Sequence, residues 1–289
     1  MCDHDSMDDM LRYQLKEGLS RRDFGALTVG AGLVAMLPAV ANAAETKESE
    51  VEIKTPDGTC DAYFVHPAKG TAPGVLVWPD IFGLRPAFRQ MGKRLAESGY
   101  SVLVVNPFYR TKHAPTGAAS DFGDQEKRAE LFKLAGTLSA TTHVTDAKTF
   151  IPWLDAQASV DKKRKMGTTG YCMGGPMVFR TVAAMNDRVG AGATFHGGGL
   201  VTDKPDSPHL LIPQMHAQML ICVAQNDDAK EPKSKDVLKE AFDKAKLKNE
   251  VEVYPADHGW CPPDSGVYSK DAAEKAWTRL LATFKSALA

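Results

Sequence analysis

Gly170-Tyr171-Cys172-Met173-Gly174-Gly175 is the stretch whose reading decides the fold. Before it, Arg164-Lys165-Met166-Gly167-Thr168-Thr169 reads as the end of a short buried strand. After it, the run from Pro176 to Met185 carries the apolar spacing of a helix. Presenting a side chain at the tip of a strand-to-helix turn needs a tight, strained backbone, and glycines two residues to either side leave room for it. The helix then begins beneath that side chain, so its free N–H groups and dipole favour a thiolate and an oxyanion there. Cys172 is thus expected to be a nucleophile on an elbow. Taken alone, the same pattern fits a structural cysteine in a glycine-rich turn.

The flanking chain alternates strand-like and helix-like segments. Strands at about 50–54 and 60–66 form an opening hairpin around Pro56-Asp57-Gly58, followed by buried strands Gly74–Trp78 and Ser101–Val105 with a helix from Pro86 to Ser98 between them. Residues 107–125 read as a loop and a candidate active-site rim. Helices at about 125–138 and 141–157 lead to the elbow. Beyond it come strands at Ala191–Phe195, Met219–Val223 and Glu250–Tyr254, and helices at about 232–246 and 269–288. This alternation predicts an α/β fold with a mainly parallel sheet covered on both faces, whose ligands bind at the carboxyl ends of the strands.

A nucleophile there needs a base, and the base an orienting acid. Ala224-Gln225-Asn226-Asp227-Asp228 follows one late strand, and Pro255-Ala256-Asp257-His258-Gly259-Trp260 follows the next. The order Cys172, Asp227, His258 is the nucleophile, acid, histidine order of α/β-hydrolases. Asp227 is preferred because it sits three residues past Ala224, with Asp228 the alternative and Asp257 read as a loop residue. For an oxyanion hole, one donor is the N–H of Met173 and the other is assigned to Ile81, in the loop after Trp78. His196-Gly197-Gly198-Gly199 follows the nucleophile and reads as a turn at the cleft edge, with His196 a candidate substrate contact.

Composition narrows the function classes. The 289 residues are 43% hydrophobic and 25% charged, with a formal net charge of -1, which gives no electrostatic case for nucleic acid or an anionic membrane surface. At the N-terminus, Ser20-Arg21-Arg22-Asp23-Phe24, a mildly apolar run from Gly25 to Val40 and Ala41-Asn42-Ala43 together read as a twin-arginine (Tat) export signal cut after Ala43. The alternative is an N-terminal core helix. The expected products are a signal over residues 1–43 and one domain over 44–289, exported by the Tat machinery to the periplasm or beyond. The apolar run is too short and too rich in Gly and Ala for a stable membrane anchor. Gly30-Ala31-Gly32-Leu33-Val34-Ala35 fits a dinucleotide fingerprint, but no strand precedes it and it falls within the signal, so it is set aside.

With these residues in hand, the chain resembles the dienelactone hydrolase (carboxymethylenebutenolidase) family of α/β-hydrolases, over about Val51 to Leu288. The resemblance rests on Asp80-Ile81-Phe82-Gly83-Leu84, Asn106-Pro107-Phe108-Tyr109-Arg110, the Gly170–Gly175 elbow, Asp227 and His258-Gly259. It implies a Cys-His-Asp triad that opens an enol-lactone through an acyl-enzyme: Cys172 as nucleophile, His258 as base and then acid, Asp227 as orienter. It implies a thiol-activating role for Asp80, one methylene shorter than the family's usual Glu, and a substrate-binding role for Tyr109, Arg110 and Trp260. Trp260-Cys261-Pro262-Pro263 lacks the basic residue that family members carry after the catalytic His, which points to a substrate other than the anionic dienelactone.

Processing would leave Cys60, Cys172, Cys222 and Cys261. With Cys172 kept as a thiol, at most one disulfide can form among the other three. No metal-ligand spacing appears, His209 and His216 read as surface residues, and neither metal nor cofactor is expected. The reading is a monomeric, exported hydrolase of a small lactone or ester. Its rivals are a peptidase or acyltransferase using the same triad, and a thiol-based redox or binding protein on the same fold.

Overall fold

The computed structural model describes residues 37–289. The expected signal over 1–43, including the twin-arginine pair, therefore lies almost entirely outside the described residues.

The chain opens with strands β1 (Thr46–Thr55) and β2 (Gly58–Pro67), an antiparallel hairpin turned at Pro56-Asp57 in which Gly58 adopts φ 142. Then follow β3 (Gly74–Trp78), helix α1 (Pro86–Glu97), β4 (Ser101–Val105), α2 (Gln125–Ala135) and α3 (Ala140–Asp155). The elbow joins β5 (Met166–Tyr171) to α4 (Gly174–Ala184). The chain continues with β6 (Val189–Phe195), β7 (Gln218–Ala224), α5 (Gln225–Lys230), α6 (Ser234–Lys244), β8 (Asn249–Tyr254) and α7 (Lys270–Ala287). The eight strands are ordered β1-β2-β4-β3-β5-β6-β7-β8. The first two pairings are antiparallel and every pairing from β4 to β8 is parallel.

Alternation along the central strands explains the two layers. Val75 and Val77 face one way and pack with Phe88 of α1 and Phe284 of α7. Leu76 and Trp78 face the other and pack with Phe150 of α3 and Val178 of α4. Every residue of β3, β4 and β5 is buried, which is why β3 and β4 read as continuous apolar runs rather than alternating ones. Register brings the carboxyl ends level: Tyr171 pairs with Phe195, Phe195 with Cys222 and Ala224 with Tyr254. The residues just after each strand therefore share one rim. A six-residue helix at Gln225–Lys230 and 3-10 turns at Ala119–Gly123 and Pro208–Gln214 were not expected.

The crossover from β5 to α4 depends on missing side chains. A Cβ on Gly170 would stand 2.3 Å from the Gly174 carbonyl oxygen, and one on Gly174 would stand 2.4 Å from that of Trp78. Because both obstacles are backbone, they cannot swing away. Gly174→Ala should destabilise the fold by about 1–3 kcal/mol in urea denaturation, whereas Gly123→Ala, with nothing within 4 Å of the new Cβ, should be close to neutral. Equal effects would show that the elbow yields more readily than this packing implies.

Candidate active site

Cys172 follows β5 directly and adopts φ 52, a left-handed conformation that costs a non-glycine residue about 1–3 kcal/mol. The turn is closed from both sides, since the Cys172 N–H donates to the Phe195 carbonyl at 3.0 Å and the Gly175 N–H to the Cys172 carbonyl at 3.0 Å. The side chain thus stands at the N-terminus of α4, with Cys172 only 3% exposed. These are the elbow geometry and glycine contacts expected from the motif.

Asp227 lies in the first turn of α5 and His258 in the loop after β8. Asp227 Oδ2 and His258 Nδ1 are 2.6 Å apart. An ionised carboxylate only accepts, so Nδ1 carries the proton and Nε2 is left as an acceptor. Nε2 is buried and has no hydrogen-bond partner among the described residues. Asn226 fixes the loop from the other side by accepting the His258 N–H at 2.8 Å. Of the three acids weighed, only Asp227 meets the histidine: Asp228 pairs with Lys235 and Asp257 accepts from Gln225. His196 lies behind, its ring 5.0 Å from those of His258 and Trp260. Burial, then the neighbouring His258, holds its pKa well below the usual histidine range, so it is a neutral packing partner rather than a substrate contact at the cleft edge.

The loop after β3 is pinned at nearly every group except one. Phe82 N–H donates to Asp80 Oδ1, Gly83 N–H to the Asp80 carbonyl, and Thr116 Oγ1 to the Phe82 carbonyl. Arg85 grips Asp80 with two bonds of 2.6 and 2.9 Å and Asp264 with two more of 2.6 and 2.9 Å. Its guanidinium also lies 5.1 Å from the Phe82 ring centroid and 4.9 Å from that of Phe88. Burial pushes the Asp80 carboxyl up and Arg85 pulls against it. The N–H groups of Ile81 and Met173 make no hydrogen bond to another described residue. Asp80 is thus committed to Arg85, a partner that reading the loop by itself did not reveal.

A cavity of about 580 Å³ touches both of these donors' residues, Ile81 and Met173, and extends past Phe132 and Leu138 to His143 and Arg180. The turn read at His196–Gly199 contributes Gly199, and the chain after it contributes residues as far as Pro208, but none of 107–125 lines it; α2 and the start of α3 do. Cys172 and His258 lie beneath the surface and do not line it. Three expected substrate contacts lie elsewhere. Arg110 is held by Asp57 and Asp146, and Tyr109 bonds to Asp146 and Thr55, which ties the hairpin turn to α3. Trp260 is fully buried and stacks on Tyr254 with centroids 5.3 Å apart. Cys60, Cys222 and Cys261 all carry free thiols. Among the described residues there is no group of three or more His, Cys, Asp or Glu placed to hold a metal, and no helix long and apolar enough to cross a membrane.

Removing Arg85 would leave the buried Asp80 carboxylate unpaired beside the half-buried one of Asp264. Arg85→Met should lower the unfolding free energy by about 3–5 kcal/mol, read by urea denaturation at neutral pH. A loss below about 1 kcal/mol would mean that the network behaves as a surface pair.

Comparison with known proteins places this geometry. The Dienelactone hydrolase family model matches residues 60–288. The carboxymethylenebutenolidase of Pseudomonas putida is 26% identical over 232 residues, covering 80% of this chain and 93% of its own. A dienelactone hydrolase-like promiscuous phosphotriesterase from metagenomic libraries superposes with a TM-score of 0.70 at 21% identity, over 84% of this chain and 99% of its own. The dienelactone hydrolase of Anabaena variabilis does so at 0.61 and 15%, with the same coverage. With most of its length matched by that family model and its sheet matching those folds, the chain belongs to the dienelactone hydrolase family, lactone and ester hydrolases built on the α/β-hydrolase fold.

Proposed function

We propose that the chain hydrolyses a small lactone or carboxylic ester through Cys172, His258 and Asp227 by way of an acyl-enzyme. The observation that carries this reading is the 2.6 Å His258–Asp227 pair, whose Nε2 is left as an unpartnered acceptor on the rim where the elbow presents Cys172. His258 Nε2 takes the thiol proton, and the thiolate attacks the carbonyl carbon. The oxygen gathers negative charge, which the N–H groups of Ile81 and Met173 stabilise. As the C–O bond breaks, His258 returns its proton to the departing alkoxide and leaves a thioester on Cys172. Water, deprotonated by the same nitrogen, then attacks the thioester; the acid leaves and the thiol re-forms. Asp227 holds the productive tautomer and offsets the imidazolium charge. Asp80 serves this chemistry through Arg85, by holding the loop so that the Ile81 N–H stays unused.

The same reading takes residues 1–43 as a Tat signal, residues 44–289 as a monomeric periplasmic or secreted domain, and the lactone or ester as its small-molecule partner. Its support is Ser20-Arg21-Arg22-Asp23-Phe24 followed by the Gly/Ala-rich run and Ala41-Asn42-Ala43. N-terminal sequencing of the exported protein should begin at Ala44; retention of residues before it outside the cytoplasm would refute the cleavage site.

The chemistry is tested with a dienelactone and a 4-nitrophenyl ester, using protein first treated with a thiol reductant. Cys172→Ala should abolish turnover while leaving the denaturation midpoint in place, and Asp227→Asn should lower kcat by about 10³–10⁴-fold. Turnover surviving in Cys172→Ala would overturn the mechanism, and reduced protein that cleaves neither compound would overturn the hydrolase reading.

A further inference from the structure

Among the described residues three arginines are buried, and two of them are matched by carboxylates at close range: Arg85 has Asp80 and Asp264 at 2.6 Å, and Arg94 has Glu274 at 2.6 Å. The half-buried Arg188 likewise has Asp155 at 2.8 Å. Arg180 departs from this pattern. Its side chain is 9% exposed, yet its nearest carboxylate oxygen, on Asp206, is 3.7 Å away on a side chain that is 55% exposed. Arg180 Nη2 instead donates to the Asp206 backbone carbonyl at 3.0 Å. Nη1 lies 3.1 Å from His143 Nδ1. A guanidinium has only donors, so Nδ1 accepts and the ring proton sits on Nε2. Two buried donors, Arg180 Nε–H and His143 Nε2–H, then have no acceptor among the described residues. Burial drags the Arg180 pKa below its usual value and Asp206 only partly opposes this, in line with a poorly compensated charge.

A wall with surplus donors and an under-matched cation fits a ligand group that only accepts and carries negative charge. Its position makes that group part of the substrate. Arg180 and His143 line the same 580 Å³ cavity as Ile81 and Met173. Arg180 lies seven residues past Met173, about two turns or 10 Å of rise along α4, and helical side chains lean back toward the N-terminus. We propose that Arg180, backed by His143, is the subsite for a carboxylate carried by the substrate several bonds from the scissile carbonyl, and that Asp206 is the resident counter-anion which that carboxylate displaces. The claim rests on the hydrolase reading for its substrate, but the subsite can be tested without turnover.

Two esters differing in one charge separate the outcomes: the 4-nitrophenyl half-ester of glutaric acid, and the same compound with its free carboxylate capped as a methyl ester. The ratio of their kcat/KM values should favour the half-ester by roughly tenfold or more. Arg180→Met should collapse that ratio toward one, Arg180→Lys should keep part of it, and Asp206→Asn should raise it by lowering KM for the half-ester. In parallel, calorimetry on the Cys172→Ser protein should show glutarate binding that is lost on adding Arg180→Met. A ratio near one with no glutarate binding would overturn the proposal, as would an Arg180→Met protein that loses activity on both esters in proportion. If Arg180→Met fails to fold, the Lys and Asp206→Asn variants decide: a ratio unmoved by either counts against the subsite. Glutarate binding that needs Arg180, in a protein that cleaves neither ester, would keep the subsite and remove the hydrolase reading.

Discussion

The site depends on one backbone constraint: Cys172 must hold φ 52 between a strand and a helix that all but touch. The close approach is made without side chains. Gly170 meets the backbone of Gly174, Gly174 meets the carbonyls of Trp78 and Pro79, and a Cβ on Gly175 would stand 2.8 Å from the Gly197 Cα. The loop bearing Ile81 and the loop after β6 are therefore both seated on the elbow by backbone contact. Trp78 Nε1 adds a bond of 3.1 Å to Thr181 Oγ1 in α4, fixing the helix that starts under Cys172 to the strand that leads to the Ile81 loop. Two donors on different chain segments can face one oxygen only if those segments are held rigidly, and glycine contacts of this kind have no rotamer to relax.

Charge placement divides the molecule in the same way. Arg85 locks the loop of Ile81 to Asp264, so a single cation links that loop to the segment after His258. Arg110, which does not line the cavity, is held in the same way between Asp57 and Asp146. Both are saturated by two carboxylates, and a saturated guanidinium has little affinity left for a third anion. Arg180 is the buried guanidinium at the cavity whose match is loose. An anionic substrate group is therefore better sought on α4 than at the Tyr109-Arg110 position.

Much of this was legible in the sequence where local patterns carry the physics. β3 and β4 fall at Gly74–Trp78 and Ser101–Val105 as read, because fully buried strands are unbroken apolar runs bounded by turns. The elbow was visible because short-range geometry demands its glycines, and the Asp227–His258 pair because each residue closely follows the carboxyl end of a strand. Helix α5, which holds Asp227, was not: Gln225-Asn226-Asp227-Asp228-Ala229-Lys230 has no apolar period, and tertiary contacts make it helical. The roles of Arg85 and Arg110 were missed because their partners Asp264 and Asp146 are 179 and 36 residues away in the chain. Arg180 did leave a trace, a single cation inside the apolar run Pro176–Met185, which marks a buried charge awaiting a partner.

The free thiols differ from Cys172 in where the fold places them. Cys60 lies in β2, Cys222 in β7 and Cys261 in the loop after His258, all buried and free. Burial raises each of their pKa values far above the ordinary thiol range, with Asp61 adding to the effect at Cys60 and Cys222 adding to it at Cys261. Since the thiolate is the species that attacks, exchanges and coordinates metal, desolvation lowers the reactivity of all three. Cys172, which is disulfide-bonded in this structure, stands instead at the N-terminus of α4, where the helix field favours negative charge. The proposed nucleophilic role of Cys172, once reduced, draws on that contrast in position: a strained turn at a helix N-terminus against the interior of buried strands.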